Sequence, residues 1–180
     1  IASFLKNHGV LIGGKSIKEV NEILMNLTSI FKISPQRLLR KNHTERLPIK
    51  FNSHRYVYSD SAELNYLATN DRLFRRLMED WALYPDHVVF LGTKAICAEN
   101  IHDFIEITKN TSQKEGIIFV RNVGVFESTS LSKAKKEQAS CYAAVLLRQP
   151  NDQELCKLSD KNVDDLINWE HEKYRTNISC

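Results

Sequence analysis

The sequence lacks the features that mark several classes of protein. No apolar run approaches the roughly 18 to 20 residues that a membrane-spanning helix needs, so we expect no membrane partner. No signal peptide is visible. An excess of one charge is also missing, because basic and acidic residues are interleaved and the formal net charge is only +3. This balance gives no reason to expect nucleic acid as a partner.

The cysteines show no recognisable spacing. Cys97, Cys141, Cys156 and Cys180 form no C-x-x-C pair, which is typical of isolated, reduced thiols in a cytoplasmic protein. We expect the first three to be small core residues rather than nucleophiles, since free cysteine packs as a small apolar side chain.

What is present is an ordinary globular composition. The chain has 180 residues, of which 42% are hydrophobic and 26% are charged. That length suffices for one domain with a real core or for two small lobes. Because the chain starts without Met and directly inside an apolar run, we expect it to be a fragment of a longer protein.

The opening stretch combines strand, turn and helix signals. Residues 4–14 read FLKNHGVLIGG, which is two apolar runs separated by Asn7, His8 and Gly9. Asn and Gly tolerate positive φ, so this pattern predicts a strand, a turn that carries His8, and a second strand. Ser16 and Glu19 then form a capping box, which predicts the start of an amphipathic helix.

The same pattern returns later in the chain. Residues 119–126 read FVRNVGVF, against FLKNHGVL for residues 4–11, and a long helix is predicted from about Ser130 to Arg148. We interpret the two stretches as an internal duplication. The main chemical difference is that the second copy has Val123 where the first has His8.

These motifs resemble the C-terminal quarter of the class II aldolase and adducin family. The resemblance lies in residues 7–10 (Asn-His-Gly-Val), in Gly13-Gly14 and in the helix that begins at Ser16. In the family's enzymes the His of the His-Gly pair is a zinc ligand, which implies that role for His8. The remaining ligands there are an upstream His-x-His pair and, in some members, a carboxylate. No His-x-His occurs in this sequence.

The resemblance also implies a fold and a domain organisation. We expect an α/β fold of three layers, αβα, with a mixed or antiparallel central sheet. Residues 1–33 would end a first aldolase-like unit, residues 34–150 would form a shortened second unit, and residues 151–180 would form a helical tail. Tyr84–Gly92 resembles a Pro-Asp-His element of larger family members, and residues 87–92 are predicted to form a strand.

The resemblance implies two alternative functions. A third interpretation is that the resemblance is accidental and the chain is an unassigned α/β domain. The first is part of a metal-dependent lyase that cleaves or forms a carbon–carbon bond in a sugar phosphate, within a homo-oligomer. The second is an adducin-like or pseudoenzyme module that serves assembly. One imidazole cannot hold zinc tightly, so we expect zinc only in the complete parent protein, and this chain alone to be inactive.

The other candidate positions are weaker. The remaining histidines have no partner at metal-ligand spacing, so we expect surface or capping roles for His43, His54, His87, His102 and His171. Residues 13–16 precede a helix and make a generic anion site, although they lack a phosphate-loop motif. Further helices are predicted after Asn70, over residues 99–110 and after Ser159.

Overall fold

The fold is described from a computed structural model. It describes residues 1–35, 55–110, 116–150, 153–172 and 174. The strands and helices are, in chain order, β1 (Ala2–Leu5), β2 (Gly9–Ile12), α1 (Ile17–Ile30), β3 (Tyr56–Tyr58), α2 (Ala62–Thr69), α3 (Asp71–Glu79), α4 (Pro85–Leu91), β4 (Ile96–Ala98), α5 (Ile101–Asn110), β5 (Ile117–Val120), β6 (Gly124–Ser128), α6 (Lys133–Leu146) and α7 (Asp160–Asn168).

The larger sheet has four strands in the order β3-β6-β5-β4. The pairs β3–β6 and β5–β6 are antiparallel, and β4 runs parallel to β5. A mixed sheet packed against helices is therefore present, as the sequence predicted for the fold class. Within the described ranges, no helix has the length and apolar character needed to cross a membrane.

The two faces of this sheet enter different apolar clusters. Along β5, Ile117 and Phe119 pack with α2, α3, α4 and α6, whereas Ile118 and Val120 pack with Phe104 of α5. This alternation follows from the two-residue repeat of a strand, which sends successive side chains to opposite faces. Strand β5 is consequently buried on both sides.

The two stretches that share this sequence pattern form the same hairpin. We call residues 2–12 hairpin 1 and residues 117–128 hairpin 2. The turn of each contains a left-handed Asn, with φ of 56° at Asn7 and 57° at Asn122, followed two residues later by a Gly with φ of 143° at Gly9 and 144° at Gly124. The matching φ values show that the two turns have the same backbone conformation.

Register and following helix also agree. The amide of His8 donates to the Leu5 carbonyl at 3.1 Å, and the amide of Val123 donates to the Val120 carbonyl at 3.0 Å. Helix α1 follows hairpin 1 with Ser16 as N-cap, and α6 follows hairpin 2 with a Ser N-cap of its own. The predicted strand-turn-strand-helix is thus confirmed in both places.

The strand predicted over residues 87–92 is wrong, because this segment is helix α4. Tyr84 is its N-cap, Pro85 occupies the first turn, and Gly92 closes it with φ of 86°. Proline near the first helical position and glycine just after the last are signals of helix ends. A short apolar run cannot distinguish strand from helix by itself, and here the flanking residues decide.

Other predictions have mixed outcomes. Helices α3, α5 and α7 are confirmed, with Asn70 and Ser159 as N-caps of α3 and α7. Helix α2 and strand β4 were not predicted. Two of the three expected core cysteines, Cys141 and Cys156, are exposed, and Cys97 is half-buried. That expectation is therefore wrong for the first two.

Candidate functional site

The candidate ligand His8 lies at the exposed tip of hairpin 1. Strands β1 and β2 pair with each other and form a separate two-stranded sheet. The imidazole therefore projects from a tight turn between two short strands, as the sequence predicted. Such a turn presents the side chain to solvent in a fixed backbone setting.

Asn7 fixes the tip of hairpin 1 to the rest of the molecule. Its side-chain amide donates to the Leu83 carbonyl at 2.9 Å and also to the Cys156 carbonyl. One amide group thus connects the turn to the segment before α4 and to the segment before α7. His8 is consequently held near the segments that precede α4 and α7.

The segment that receives Asn7 has an unusual backbone. Ala82 adopts φ of 61°, which is uncommon for a residue with a Cβ. Its carbonyl accepts a hydrogen bond from the Leu158 amide at 2.9 Å. Successive carbonyls at Ala82 and Leu83 therefore bind two different parts of the chain. Such strained conformations persist where the surroundings determine them.

Beneath this segment lies His87, which is fully buried. The Leu83 amide donates to its Nδ1 at 3.4 Å, and its ring lies 4.3 Å from Trp81 and 4.4 Å from Tyr142 between ring centroids. Burial lowers the pKa of His87 to about 3, so the ring is neutral. The expected surface or capping role is wrong for His87, which is a core residue.

The described residues do not form a complete metal centre. In the ranges that the structure covers, no group of three or more His, Cys, Asp or Glu side chains is placed to hold a metal ion. His102 and His171 are exposed, while His43 and His54 lie outside the described residues. A zinc site needs three or four protein ligands, and the described side chains do not supply that number at one place.

The tip of hairpin 2 is closed by protein contacts. Arg121 forms ion pairs of 2.9 Å with Asp71 and with Glu99. The Asn122 amide donates to a carbonyl of α2, and Val123, which replaces the histidine, is half-buried. This second turn therefore has a structural role, and it offers no metal ligand.

The start of α1 is satisfied by its own residues. The Glu19 amide donates to Ser16 Oγ at 3.2 Å, and the Lys15 amide donates to the Glu19 carboxylate at 2.6 Å. This confirms the cap that the sequence predicted. The Glu19 carboxylate and the Ser16 hydroxyl thus occupy the two amide groups that a bound anion would use, so the geometry adds no support for an anion site at residues 13–16.

Comparison of the chain with protein-family models, with curated proteins and with solved structures found no match. The family resemblance therefore depends on the motifs themselves. In the structure these motifs correspond to two matching hairpins. One carries an exposed His8 and the other a half-buried Val123.

Proposed function

We propose that this chain is part of a class II aldolase-type protein, with the end of one unit and a shortened second unit in a three-layer αβα arrangement. The observation that carries the proposal is the exposed His8 on a hairpin that the chain builds twice. A turn held by Asn7 is a suitable support for a metal ligand, because it limits the positions that the imidazole can occupy.

In this proposal His8 supplies one imidazole to a zinc centre. The other ligands come from outside the residues described here, and the ligand class is a small phosphorylated sugar. When bound, zinc would polarise oxygens of such a substrate. The chain alone neither binds zinc tightly nor turns over substrate. The full protein is a cytoplasmic homo-oligomer.

A second candidate function is assembly or protein interaction, as in an adducin-like or pseudoenzyme module. The observation that favours it is the exposed apolar surface of hairpin 1 and α1, which includes Phe4, Leu11, Ile17 and Met25. Large exposed apolar patches commonly mark interaction sites. Val123 adds that one copy of the turn already lacks the imidazole.

Zinc analysis of the full polypeptide that contains this chain separates these functions. We expect zinc in stoichiometric amount in the parent and its loss in His8→Val. With a chelator present, variant and parent should have the same thermal midpoint, because a turn between strands accepts a β-branched residue. The matched control is His102→Val, which replaces another exposed histidine and should retain the metal.

Two results would contradict the enzyme proposal. Stoichiometric zinc in His8→Val would make His8 a structural histidine. Absence of zinc from the unmodified polypeptide would favour the assembly function instead. For the isolated 180-residue chain, tightly bound zinc after dialysis against a weak chelator would contradict the expectation that ligands from elsewhere are needed.

A further inference from the structure

Equivalent apolar side chains differ sharply in burial between the two hairpins. In hairpin 2, Phe119 is 1% exposed and Val125 is 0% exposed, whereas their counterparts in hairpin 1, Phe4 and Val10, are 63% and 40% exposed. Because the turn and register are the same, the difference comes from what surrounds each hairpin. Hairpin 1 presents to solvent a surface that the second copy places in the core.

The elements that cover hairpin 2 are identifiable. Strand β3 adds antiparallel to β6, and β4 adds parallel to β5. Helix α2 contacts both strands of the hairpin, and α5 contacts β5. Hairpin 1 has no added strand on either edge within the described part of the chain, and isolated two-stranded hairpins are marginal in water.

The surroundings of the glycines in the two turns show the same difference. A Cβ added to Gly124 would lie 2.4 Å from the Tyr58 hydroxyl of β3, whereas a Cβ added to Gly9 would meet nothing within 4 Å. Both glycines have nearly the same positive φ. The space that a β3 side chain occupies over hairpin 2 is therefore open over hairpin 1.

The basic residue before the turn of each hairpin indicates which groups would cover hairpin 1. Arg121 meets the carboxylates of Asp71 and Glu99, and its amide donates to a β4 carbonyl at 2.9 Å. The corresponding Lys6 is exposed, and among the described residues it has neither an ion pair nor a backbone acceptor for its amide. A cover equivalent to that of hairpin 2 would bring carboxylates and carbonyl groups to this point.

The helices after the hairpins repeat the contrast. Helix α6 buries Ala139, Tyr142, Ala143 and Leu146, whereas α1 has no buried residue. In the second copy, α2 and α4 cover α6. Hairpin 1 and α1 therefore form one continuous open surface.

We infer that hairpin 1 and α1 dock a covering unit with the element order of residues 56–110, which lies before Ile1 in the same polypeptide. One strand of that unit adds antiparallel to β2, another adds parallel to β1, and carboxylates face Lys6. The unit precedes the hairpin because the covering elements of hairpin 2 precede it in the chain. Residues 56–110 cannot themselves serve, in this copy or another, because they already cover hairpin 2.

This inference rests on the part of the proposed function that makes residues 1–33 the end of one unit, and it requires neither zinc nor catalysis. The test is hydrogen exchange, measured by mass spectrometry with a chelator present, on the 180-residue chain and on the full polypeptide encoded by its reading frame. Residues 2–12 should exchange at least about 100-fold more slowly in the full polypeptide, because local opening there becomes costly. Residues 117–128 are the internal reference and should be protected in both.

A charge reversal tests the nature of the cover. In the full polypeptide, Lys6→Glu should raise the exchange rate of residues 2–12 by about tenfold or more, since a like-charge contact replaces an attractive one. The matched control is Lys161→Glu, which makes the same charge change on an exposed lysine of α7 and should leave residues 2–12 protected.

Each contrary result overturns the inference. A reading frame that opens at Ile1 would remove the covering unit. Rapid exchange of residues 2–12 in the full polypeptide would show that nothing docks there. Slow exchange in the 180-residue chain would show that the chain or a second copy covers the surface, and dilution would separate those two cases. Unchanged protection in Lys6→Glu would refute the acidic cover.

Discussion

Gly124→Ala and Gly9→Ala are a matched pair of substitutions that separates a covered turn from an open one. Both residues have φ near 144°, a region that is strained for any residue with a Cβ. Each alanine should therefore impose a local strain of roughly 1–3 kcal/mol. Only at Gly124 does the new methyl group also meet a neighbouring side chain, the ring of Tyr58.

The additional cost at Gly124 is the displacement of Tyr58. Its hydroxyl donates to the Val123 carbonyl at 3.3 Å, and its ring packs edge-on against Phe126 at 5.6 Å between centroids. Loss of the hydrogen bond costs about 0.5–1.5 kcal/mol, and loss of the aromatic contact costs about the same. Because Tyr58 is 46% exposed, the ring can move outward, which limits the cost to these contacts.

The free energy of unfolding, measured with urea, should therefore fall by roughly 2–6 kcal/mol in Gly124→Ala. Gly9→Ala should leave the main transition nearly unchanged, because its strain is confined to a hairpin that few contacts connect to the core. The double variant Gly124→Ala, Tyr58→Ala should be less destabilised than the sum of the single variants. Equal losses in the two single variants, or strict additivity, would refute this reasoning.

Two further predictions concern the core. The pKa of His87 is about 3 in the folded chain and about 6.5 when unfolded, so the unfolded state binds the proton and stability falls as pH drops from about 6.5 towards 3. His87→Phe should reduce the loss of unfolding free energy between pH 7 and pH 4.5 by about 2–3 kcal/mol, and an identical loss in variant and parent would contradict this. Arg76 pairs with the buried Asp80 at 2.6 Å and donates to the carbonyls of Pro150 and Gln153. Arg76→Met should lower the free energy of unfolding in urea by about 3–5 kcal/mol. The control Arg75→Met, at an exposed position, should change it by no more than about 0.5 kcal/mol. Similar effects of the two substitutions would argue against a structural role for the ion pair.

The sequence predicted the duplicated hairpins because local chemistry specifies them. Asn7 and Gly9, like Asn122 and Gly124, supply the positive φ values that the turn needs. The mixed α/β class was expected from the family resemblance, which depends on these same short motifs. These signals lie within a few residues of each other, so a single sequence suffices to identify them.

Burial could not be predicted in the same way. Phe4 and Phe119 have nearly the same local sequence, yet one is exposed and the other is in the core, because burial depends on elements that are distant in the chain. The burial of His87 was missed for a related reason, since it follows from packing against Trp81 and Tyr142. The apolar run of residues 87–91 predicts a strand, whereas Pro85 and Gly92 at its two ends are the residues that specify helix α4.

The surroundings of the candidate ligand His8 could be predicted only in part. His8 could be placed on a turn from its neighbours alone, and the structure puts it at an exposed tip. The contact of Asn7 with Leu83 and Cys156 joins residues far apart in the chain, and no spacing in the sequence indicates it.

Residue-by-residue amide exchange of the chain, followed by NMR, is the most direct test of the central claim that one hairpin is built twice and covered once. Amides of residues 117–127 should exchange only through global unfolding, because their strands lie within the four-stranded sheet. Amides of residues 2–12 should exchange within about tenfold of the unstructured rate, since a two-stranded hairpin is marginal in water. Comparable protection of Phe4 and Phe119, or of Val10 and Val125, would contradict the claim.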